Sequence, residues 1–366
     1  MPSEIPLTLS TAAGTAATTP TPLLKPGAWP PGNSFVSVEH KLVYISVTKV
    51  ACSSLRWMMA DLAGEDFGRF YRAPGNHQSR LMTIHTARTT WANTPQIKNV
   101  PPDVLAEISR DNGWFIFAVV RDPWSRLWSA WQSKFLVRHG SFVAEYGDEP
   151  WFPRIPESAD DVLVDWRAFV MARPWQSHPR LRHDPHFMPQ VDSVHPDRVN
   201  YTKIYDLPAM STLLDDLRAH LRRLGKETEL YVPRANENPI RMTRDVLGGD
   251  IAEMIEDAYQ RDFAEFGDRW RLADVRVSEG SISPDAVRAI EMHAAANQRI
   301  DDLSTELRSA RKEIKRLRTR AATLAAAAKP KPKPTPVRRV LAQVPGLRPA
   351  VRAIRRAIRK VRRSHR

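Results

Sequence analysis

Two short apolar runs, each followed at once by a helical pattern, organise the first half of the chain. Residues 42–47 and 114–120 are rich in Val, Ile, Phe and Tyr, as expected of strands that are buried on both faces. The helical patterns that follow have one apolar face each, formed by Leu55, Met58, Met59 and Leu62 and by Trp124, Leu127, Trp128, Trp131 and Phe135. This alternation predicts an α/β fold with a central, mostly parallel sheet.

The same pattern continues to about residue 275. Residues 199–204 predict a further strand, and residues 210–224 and 251–266 predict amphipathic helices. We therefore expect the catalytic or binding domain to occupy residues 34–275. Residues 1–33 are rich in Thr, Ala and Pro without an apolar period, so they are predicted to be a disordered leader.

From residue 284 the apolar spacing changes to alternating steps of three and four. The positions that follow this spacing are Ala286, Ala289, His293, Ala296, Ile300, Leu303, Leu307, Ala310, Ile314, Leu317, Ala321 and Leu324. Such a seam predicts a coiled-coil helix over residues 284–328, through which copies of the chain could form a homo-oligomer. Residues 329–336 alternate Lys with Pro and predict a stiff linker.

The net charge of +14 lies at the C-terminal end. Residues 329–366 contain 14 of the 55 Lys and Arg residues and no Asp or Glu, which leaves 41 cations against 41 acids elsewhere. Residues 337–366 place Val351, Ile354, Ile358 and Val361 on one stripe among cations, as in a helix that lies on an anionic membrane. A solvated, disordered tail is the equal alternative. Nucleic acid binding is less favoured, because the tail has no aromatic residue for base stacking.

Several classes of protein are excluded or disfavoured. Cys52 is the only cysteine, so an intramolecular disulfide and a multi-cysteine metal site are excluded. No run of about 18 apolar residues is present, and residues 1–33 lack the basic and apolar regions of a secretory signal. We expect a cytoplasmic protein, peripheral at the inner face of the membrane if the tail binds lipid.

Residues 48–54 lie where the first strand passes into its helix. Free backbone N–H groups and the positive end of the helix dipole meet at such a junction and can bind phosphate. Lys49 adds a cation, and Ser53 and Ser54 add hydroxyl groups. No glycine is present and the lysine precedes the loop, so this is not a Walker loop. In isolation, a capped helix with a solvated Lys49 explains the segment equally well.

The second apolar run, residues 114–120, also ends where a strand passes into a helix. Arg121 stands at the carboxyl end of a buried strand, where ligands bind in parallel sheets, and its guanidinium can grip a phosphate with two hydrogen bonds. Asp122 and Pro123 are a good N-cap and first helical residue. Ser129 lies eight residues after Arg121 and off the apolar stripe, so it can face a ligand. A local Arg121–Asp122 ion pair is the alternative interpretation.

The two segments together resemble a known family. Residues 43–54, VYISVTKVACSS, resemble the 5′-phosphosulfate-binding loop of the carbohydrate sulfotransferases, in particular the chondroitin 4-O-sulfotransferase branch. Residues 115–131, FIFAVVRDPWSRLWSAW, are similar to the 3′-phosphate-binding strand and helix of that family. The resemblance implies a P-loop-like, three-layer fold and the co-substrate 3′-phosphoadenylyl sulfate. Its binding residues would be Lys49, Cys52, Ser53, Ser54, Arg121 and Ser129.

Weaker similarities follow in residues 186–190, HFMPQ, and in residues 259–267, which include Tyr259, Asp262 and Gly267. The vertebrate enzymes are Golgi membrane proteins with disulfides, whereas this chain has one cysteine and no apolar anchor. It is therefore identified as a soluble, bacterial-type member, and neither compartment nor acceptor carries over from the family.

The implied reaction is in-line transfer of a sulfuryl group to a hydroxyl or amine of a carbohydrate or glycolipid acceptor. Lys49 would stabilise charge on the leaving phosphate, and His85 or His186, with His85 narrowly preferred, would accept the acceptor's proton. No metal is expected, because cations already occupy the site. Two alternatives remain, a nucleotide-dependent phosphotransferase and a non-enzymatic, membrane-associated coiled-coil scaffold.

Overall fold

A computed structural model describes residues 20–75, 79–235 and 237–328, together with positions 353 and 356. Residues 1–19 of the predicted leader lie outside this range, as do the predicted linker and almost all of the predicted basic tail. The strands are Ser34–Ser37 (β1), Leu42–Ile45 (β2), Phe115–Val120 (β3) and Lys203–Asp206 (β4).

These strands form one sheet in the order β1-β2-β3-β4. Strand β1 is antiparallel to β2, whereas β2, β3 and β4 are parallel to one another. Strands β1 to β3 are buried along their whole length, which explains their continuous apolar sequences. The prediction of an α/β fold with a central, mostly parallel sheet is therefore confirmed, while the P-loop-like, three-layer description stays a prediction.

The fourth strand lies later in the chain than its apolar pattern predicted. We expected residues 199–204, but the ladder with β3 is formed by Lys203–Asp206. Val199 instead forms an isolated antiparallel bridge with Leu24 and is buried. Burial, not membership of the ladder, accounts for the apolar character of Val199.

The α-helices of the described part are Cys52–Leu62 (α1), Phe67–Tyr71 (α2), Pro102–Glu107 (α3), Pro123–Trp131 (α4), Gly140–Tyr146 (α5), Ala159–Ala172 (α6), Pro174–Ser177 (α7), Val191–Val194 (α8), Met210–Arg223 (α9), Ile251–Ala258 (α10), Gln260–Phe266 (α11) and Pro284–Ala328 (α12). A π-helical turn, Gln132–Leu136, continues α4. The single helix predicted over residues 251–266 is divided at Tyr259, whose hydroxyl donates to the carbonyl of Phe187 at 2.6 Å.

Part of the predicted leader belongs to the folded domain. Residues 20–33 are ordered, with Leu23 only 1% exposed and the N–H of Lys25 donating to the carbonyl of Arg198 at 2.9 Å. The disordered-leader prediction is corrected for these residues. A few apolar side chains inserted into a Pro-rich segment suffice to dock it, and average composition does not reveal them.

The chain divides into two compact units, residues 1–304 and 305–366. In the first unit α12 buries Val287, Ile290, Ala294 and Asn297, and the amide of Asn297 donates to the carbonyl of Val137. These residues lie beside the seam predicted for residues 286–296, not on it. That part of the seam prediction is corrected, because the larger Val and Ile side chains bury more apolar area than the alanines of the seam.

The second unit contributes the remainder of α12, whose residues 305–327 are all exposed. The predicted long C-terminal helix is thus confirmed, and its coiled-coil character stays a prediction. No helix in the described residues is both long and apolar enough to span a bilayer.

Candidate active site

The loop between β2 and α1 has an unusual backbone. Lys49 and Ala51 both adopt the left-handed conformation, with φ of 66° and 48°. Successive N–H groups in such turns point into one concavity that favours an anion. Helix α1 then begins at Cys52 with no side-chain cap and no acidic residue in its first turn. Its positive end is therefore not neutralised by the protein's own groups within that turn.

The Lys49 side chain is held inside the protein. It is 8% exposed, and its Nζ donates to Ser133 Oγ at 2.9 Å. Ser133 belongs to the π-helical turn after α4, a type of irregularity that is frequent at functional sites. Burial, and secondarily the positive charge of Lys134, lower the pKa of Lys49 to about 7. The ammonium is consequently poised to gain or lose its proton near neutrality.

Arg121 links the second segment to the first. Its guanidinium donates to the carbonyl of Lys49 at 3.4 Å, so the two junctions touch. Burial lowers the pKa of Arg121, and the charges of Asp122 and Asp206 offset this only in part. The hydrogen bond found for the guanidinium goes to the carbonyl of Lys49 and not to Asp122, so the alternative of a simple Arg121–Asp122 pair is not favoured.

The backbone of Arg121 is positioned by a buried amide and carboxylate. Gln190 accepts from the N–H of Arg121 at 3.0 Å and donates to its carbonyl at 2.7 Å. Asp262, which is fully buried, accepts from the N–H groups of Gln190 and Val191 at 2.9 and 3.0 Å. The two weak sequence similarities around residues 190 and 262 thus meet in one hydrogen-bond chain that supports the arginine.

Arg126 binds three chain segments together. It is 1% exposed and donates to the carbonyls of Thr48, Met188 and Pro185 at 3.2, 2.9 and 2.9 Å. The hydroxyl of Thr48 also donates to the carbonyl of Pro185. A buried guanidinium that satisfies otherwise unpaired carbonyls rigidifies its surroundings. The loop of residues 48–51, which we call the lysine loop, is therefore fixed against the segment that carries His186.

A cavity of about 560 Å³ opens between the two junctions. The first junction contributes Lys49, Ala51, Cys52 and Ser53 to its lining, and the second contributes Arg121, Ser125, Trp128 and Ser129. Of the predicted binding residues, Lys49, Cys52, Ser53, Arg121 and Ser129 line this cavity. Ser54 does not line it; it is buried at the start of α1. Its predicted hydroxyl contact with a ligand is accordingly not supported by the cavity.

The sequence did not predict a further part of the cavity lining. It comes from residues distant in the chain, among them Asn238, Arg241 and Arg276. With Lys49 and Arg121 the lining holds four cations against the single carboxylate of Glu237, so it suits a polyanion. No local pattern marked Arg241 or Arg276, because neither follows a buried strand.

The two candidate histidines lie outside the cavity lining and differ in their surroundings. His85 Nδ1 is 2.9 Å from the Arg56 guanidinium, and His85 Nε2 is 2.7 Å from Ser53 Oγ. Because arginine only donates, Nδ1 must accept and Nε2 must carry the proton. Both ring nitrogens of His85 are thus engaged, and the ring orients Ser53.

His186 is engaged at one nitrogen. Its Nδ1 lies 2.7 Å from Asp184 Oδ1, which also accepts from the His186 backbone N–H at 2.8 Å. The described residues supply no hydrogen bond to Nε2. Burial, and next the charge of Lys134, lower the pKa of His186. The imidazole is therefore neutral at physiological pH, with its proton on Nδ1 and an acceptor lone pair at Nε2.

Comparison with protein-family models gives a match to the sulfotransferase family over residues 32–267. The match spans well over half of the chain and includes both junctions, Gln190 and Asp262. The chain belongs to the sulfotransferase family. The sulfotransferase region ends before Arg276 and before α12. No match is found among curated proteins or among solved structures.

A sulfotransferase moves a sulfuryl group, so its site has to stabilise anionic oxygen atoms. The described residues contain no group of three or more His, Cys, Asp or Glu side chains placed to hold a metal ion. The positive charge that the described part of the site does offer comes from Lys49, Arg121, Arg241, Arg276 and the start of α1.

Proposed function

We propose that this sulfotransferase transfers the sulfuryl group of 3′-phosphoadenylyl sulfate to a hydroxyl or amine of a carbohydrate or glycolipid. One observation carries the proposal: both junctions line a single cavity, and each contributes to it a set of groups that can bind an anion. Lys49, Ser53 and the start of α1 form one set, and Arg121 with Ser129 forms the other. The donor likewise carries two separate anionic groups, the 5′-phosphosulfate and the 3′-phosphate.

Lys49 is assigned to the leaving 5′-phosphate. Burial, and next the charge of Lys134, lower its pKa, and a bound phosphosulfate would favour the charged form by its opposite charge. The ammonium would then exchange Ser133 for phosphate oxygens and stabilise the charge that develops as the S–O bond breaks. The N–H groups of the lysine loop and of α1 would support the same oxygens.

His186 is assigned as the general base, in preference to His85. A base needs an unprotonated nitrogen, and His186 has Nε2 in that state while Asp184 holds the proton on Nδ1. His85 instead contacts a guanidinium through one nitrogen and Ser53 through the other. The sequence preference for His85 rests on its position between the two motifs, whereas these contacts favour His186 in the present proposal.

The proposed transfer forms one bond to sulfur and breaks another. The acceptor oxygen or nitrogen forms a bond to sulfur, and the bond from sulfur to the bridging 5′-phosphate oxygen breaks. The proton of the acceptor passes to His186 Nε2, and adenosine 3′,5′-bisphosphate leaves with its charge next to Lys49. Arg121 and Ser129 hold the 3′-phosphate throughout, so that the reacting atoms stay aligned.

Calorimetric titration with adenosine 3′,5′-bisphosphate tests the donor. We expect binding to exceed that of adenosine 5′-phosphate, because only the bisphosphate reaches Arg121. Arg121→Ala is expected to weaken bisphosphate binding roughly 10- to 100-fold, while Arg222→Ala, at an exposed position of α9, leaves it unchanged. A preference for ATP with Mg²⁺ would support a phosphotransferase instead, and no nucleotide binding would support a scaffold.

The base is tested by turnover with a labelled donor and an acceptor found by screening carbohydrates and glycolipids. His186→Ala is expected to lower kcat by about 10²–10⁴-fold with little change in bisphosphate binding. Asp184→Asn, which is expected to disturb the tautomer, should lower kcat by a smaller factor. If His85→Ala reduced kcat more than His186→Ala, the roles would have to be exchanged.

A further inference from the structure

The part of α12 in the second unit carries an apolar stripe that the described chain leaves in contact with solvent. Leu307, Ile314, Leu317 and Leu324 are 50%, 49%, 50% and 61% exposed. Leu303, one turn earlier in the same helix, is 46% exposed. Most helix stability in proteins comes from packing of the apolar face. We therefore expect the apolar stripe to pack against a partner helix.

The spacing of the stripe specifies how a partner helix would pack. Positions a of the heptad are Leu307, Ile314 and Ala321, and positions d are Leu303, Ala310, Leu317 and Leu324. Leu at most of the d positions, with a β-branched residue among the a positions, is the combination that favours two parallel strands. The stripe fits the narrow seam of a two-stranded coiled coil.

Charges beside the stripe distinguish between parallel and antiparallel pairing. Positions g are Glu306, Glu313 and Arg320, and the e positions of the heptads after the two glutamates are Arg311 and Arg318. In a parallel pair each g residue faces the e residue five positions later in the other helix. Glu306 would meet Arg311 of the second copy, and Glu313 would meet Arg318. An antiparallel pair brings e positions against e positions, so it would place Arg311 and Arg318 against arginines of the second copy.

We propose that residues 303–324 form a parallel, two-stranded coiled coil with a second copy of this chain. The complementary g and e charges are those of the chain itself, so a second copy satisfies them without any other partner. Within the described residues, Glu313 forms an ion pair with Arg316, three residues on, at 2.8 Å. An exposed pair of this kind contributes little, so Glu313 can turn to a second helix at small cost.

The basic C-terminal segment of the same chain is a less suitable occupant. Residues 329–366 carry 14 cations and no acid, and residues 305–328 carry seven Lys or Arg against two Glu. Pairing the two segments would bring cations together, whereas a parallel copy pairs each of the two glutamates with an arginine.

Light scattering coupled to size-exclusion chromatography of the full chain tests the association. The wild-type chain is expected to have twice the mass of a monomer. Ile314→Asp places a charge in the seam and is expected to give a monomer. Thr319→Asp, on the opposite face of the helix, is expected to remain a dimer. A wild-type chain that stays monomeric over the accessible concentrations would overturn the proposal, as would a dimer that Ile314→Asp leaves intact.

Cysteine pairing tests the parallel orientation. Ala310→Cys and Leu324→Cys each bring identical d positions face to face in a parallel dimer, within the distance that a disulfide requires. Both variants are expected to form disulfide-linked dimers on mild oxidation, while Thr319→Cys and the wild type, whose Cys52 is buried, are not. Cross-linking at only one of the two positions would indicate an antiparallel pair and contradict the proposal.

A charge exchange tests the g–e contacts directly. Glu306→Lys combined with Glu313→Lys makes all four of these positions basic, and Arg311→Glu combined with Arg318→Glu makes them acidic. Each variant alone is expected to dimerise more weakly than the wild type, and an equimolar mixture is expected to form the mixed dimer preferentially. Self-association of both variants at the wild-type level would show that another contact holds the copies together.

Discussion

The two strand-to-helix junctions that line the cavity share an architecture but start their helices in opposite ways. Helix α1 begins after two left-handed residues, with no side-chain cap and no acid in its first turn. Helix α4 begins with Pro123, and the Asp122 carboxylate accepts from the N–H of Ser125 at 2.7 Å. The first junction leaves its N–H groups open to an anion, whereas the second satisfies its own.

Because of this difference, different kinds of protein group would hold the two anionic ends of the ligand. At α1 the backbone and a titratable lysine act together, which suits a group whose charge changes during reaction. At α4 the helix start is closed, so the anion must be held by side chains, namely Arg121 and Ser129. A permanently charged guanidinium suits a phosphate that does not react. Three substitutions and two pH series would break or sharpen this comparison.

Replacing Lys49 should have the largest effect. Lys49→Met is expected to lower kcat by about 10²–10³-fold, because one donor to the developing charge is lost. The same change should raise the free energy of unfolding at pH 7 by about 2–4 kcal/mol, because a buried, poorly compensated ammonium is removed. Turnover and urea denaturation measure the two effects, with the exposed Lys98→Met as control. A loss of stability in Lys49→Met would contradict the assigned burial cost.

Adding an acid to α1 should make the first junction resemble the second. Ala51→Asp caps the helix and is expected to weaken bisphosphate binding about 10- to 100-fold, because the carboxylate competes for the anion's N–H groups and repels it. Ala51→Asn, which has the same shape without the charge, should weaken binding much less. Asp and Asn both tolerate the left-handed backbone at this position. Equal binding by the two variants would remove the electrostatic distinction.

Part of the pH dependence of bisphosphate binding should come from Lys49. The pKa of Lys49 is about 7, and a bound anion raises it, so binding takes up a proton above pH 7. Affinity should fall by up to about tenfold per pH unit above 7 in the wild type and less steeply in Lys49→Met. Calorimetry at pH 8 in buffers of different ionisation enthalpy measures the proton uptake.

The lowered pKa of Lys49 also determines whether the stability of the folded protein rises or falls with pH. Between pH 7 and the ordinary pKa of 10.5 the unfolded chain binds the Lys49 proton and the folded chain does not. Stability from this group therefore rises with pH through that interval. The advantage of Lys49→Met over the wild type should be largest below pH 7 and should disappear as pH approaches 10.5.

Removing the cap of α4 should have the smallest effect. Asp122→Ala is expected to cost about 1 kcal/mol of stability and to leave bisphosphate binding within about threefold of the wild type. Thermal unfolding and calorimetry give the two values. A large loss of binding would mean that Asp122 serves the ligand as well as the helix, and the two junctions would then be more alike than proposed.

Residues whose role depends on their nearest neighbours in the chain were accessible to prediction. Lys49, Arg121 and Ser129 follow from position at the end of a strand or on one face of a helix, and all three line the cavity. Ser54 was predicted together with its neighbour Ser53, yet it is buried and is not among the residues that line the cavity. Contacts between residues far apart in the sequence were not predicted. Gln190 and Asp262, for example, lie in segments of weak family similarity, and the sequence did not indicate that they form a hydrogen bond.

The amino-acid sequence by itself determined the α/β class, the two junctions and the extent of α12, since apolar period, strand-end cations and helix starts are local properties of the chain. Tertiary structure alone decided which of those residues meet. It brought Arg126 onto the carbonyls of Thr48 and Met188 and added Arg241 and Arg276 to the cavity. Burial within the fold lowers the pKa values of Lys49, Arg121 and His186, and no pattern within one segment encodes that burial.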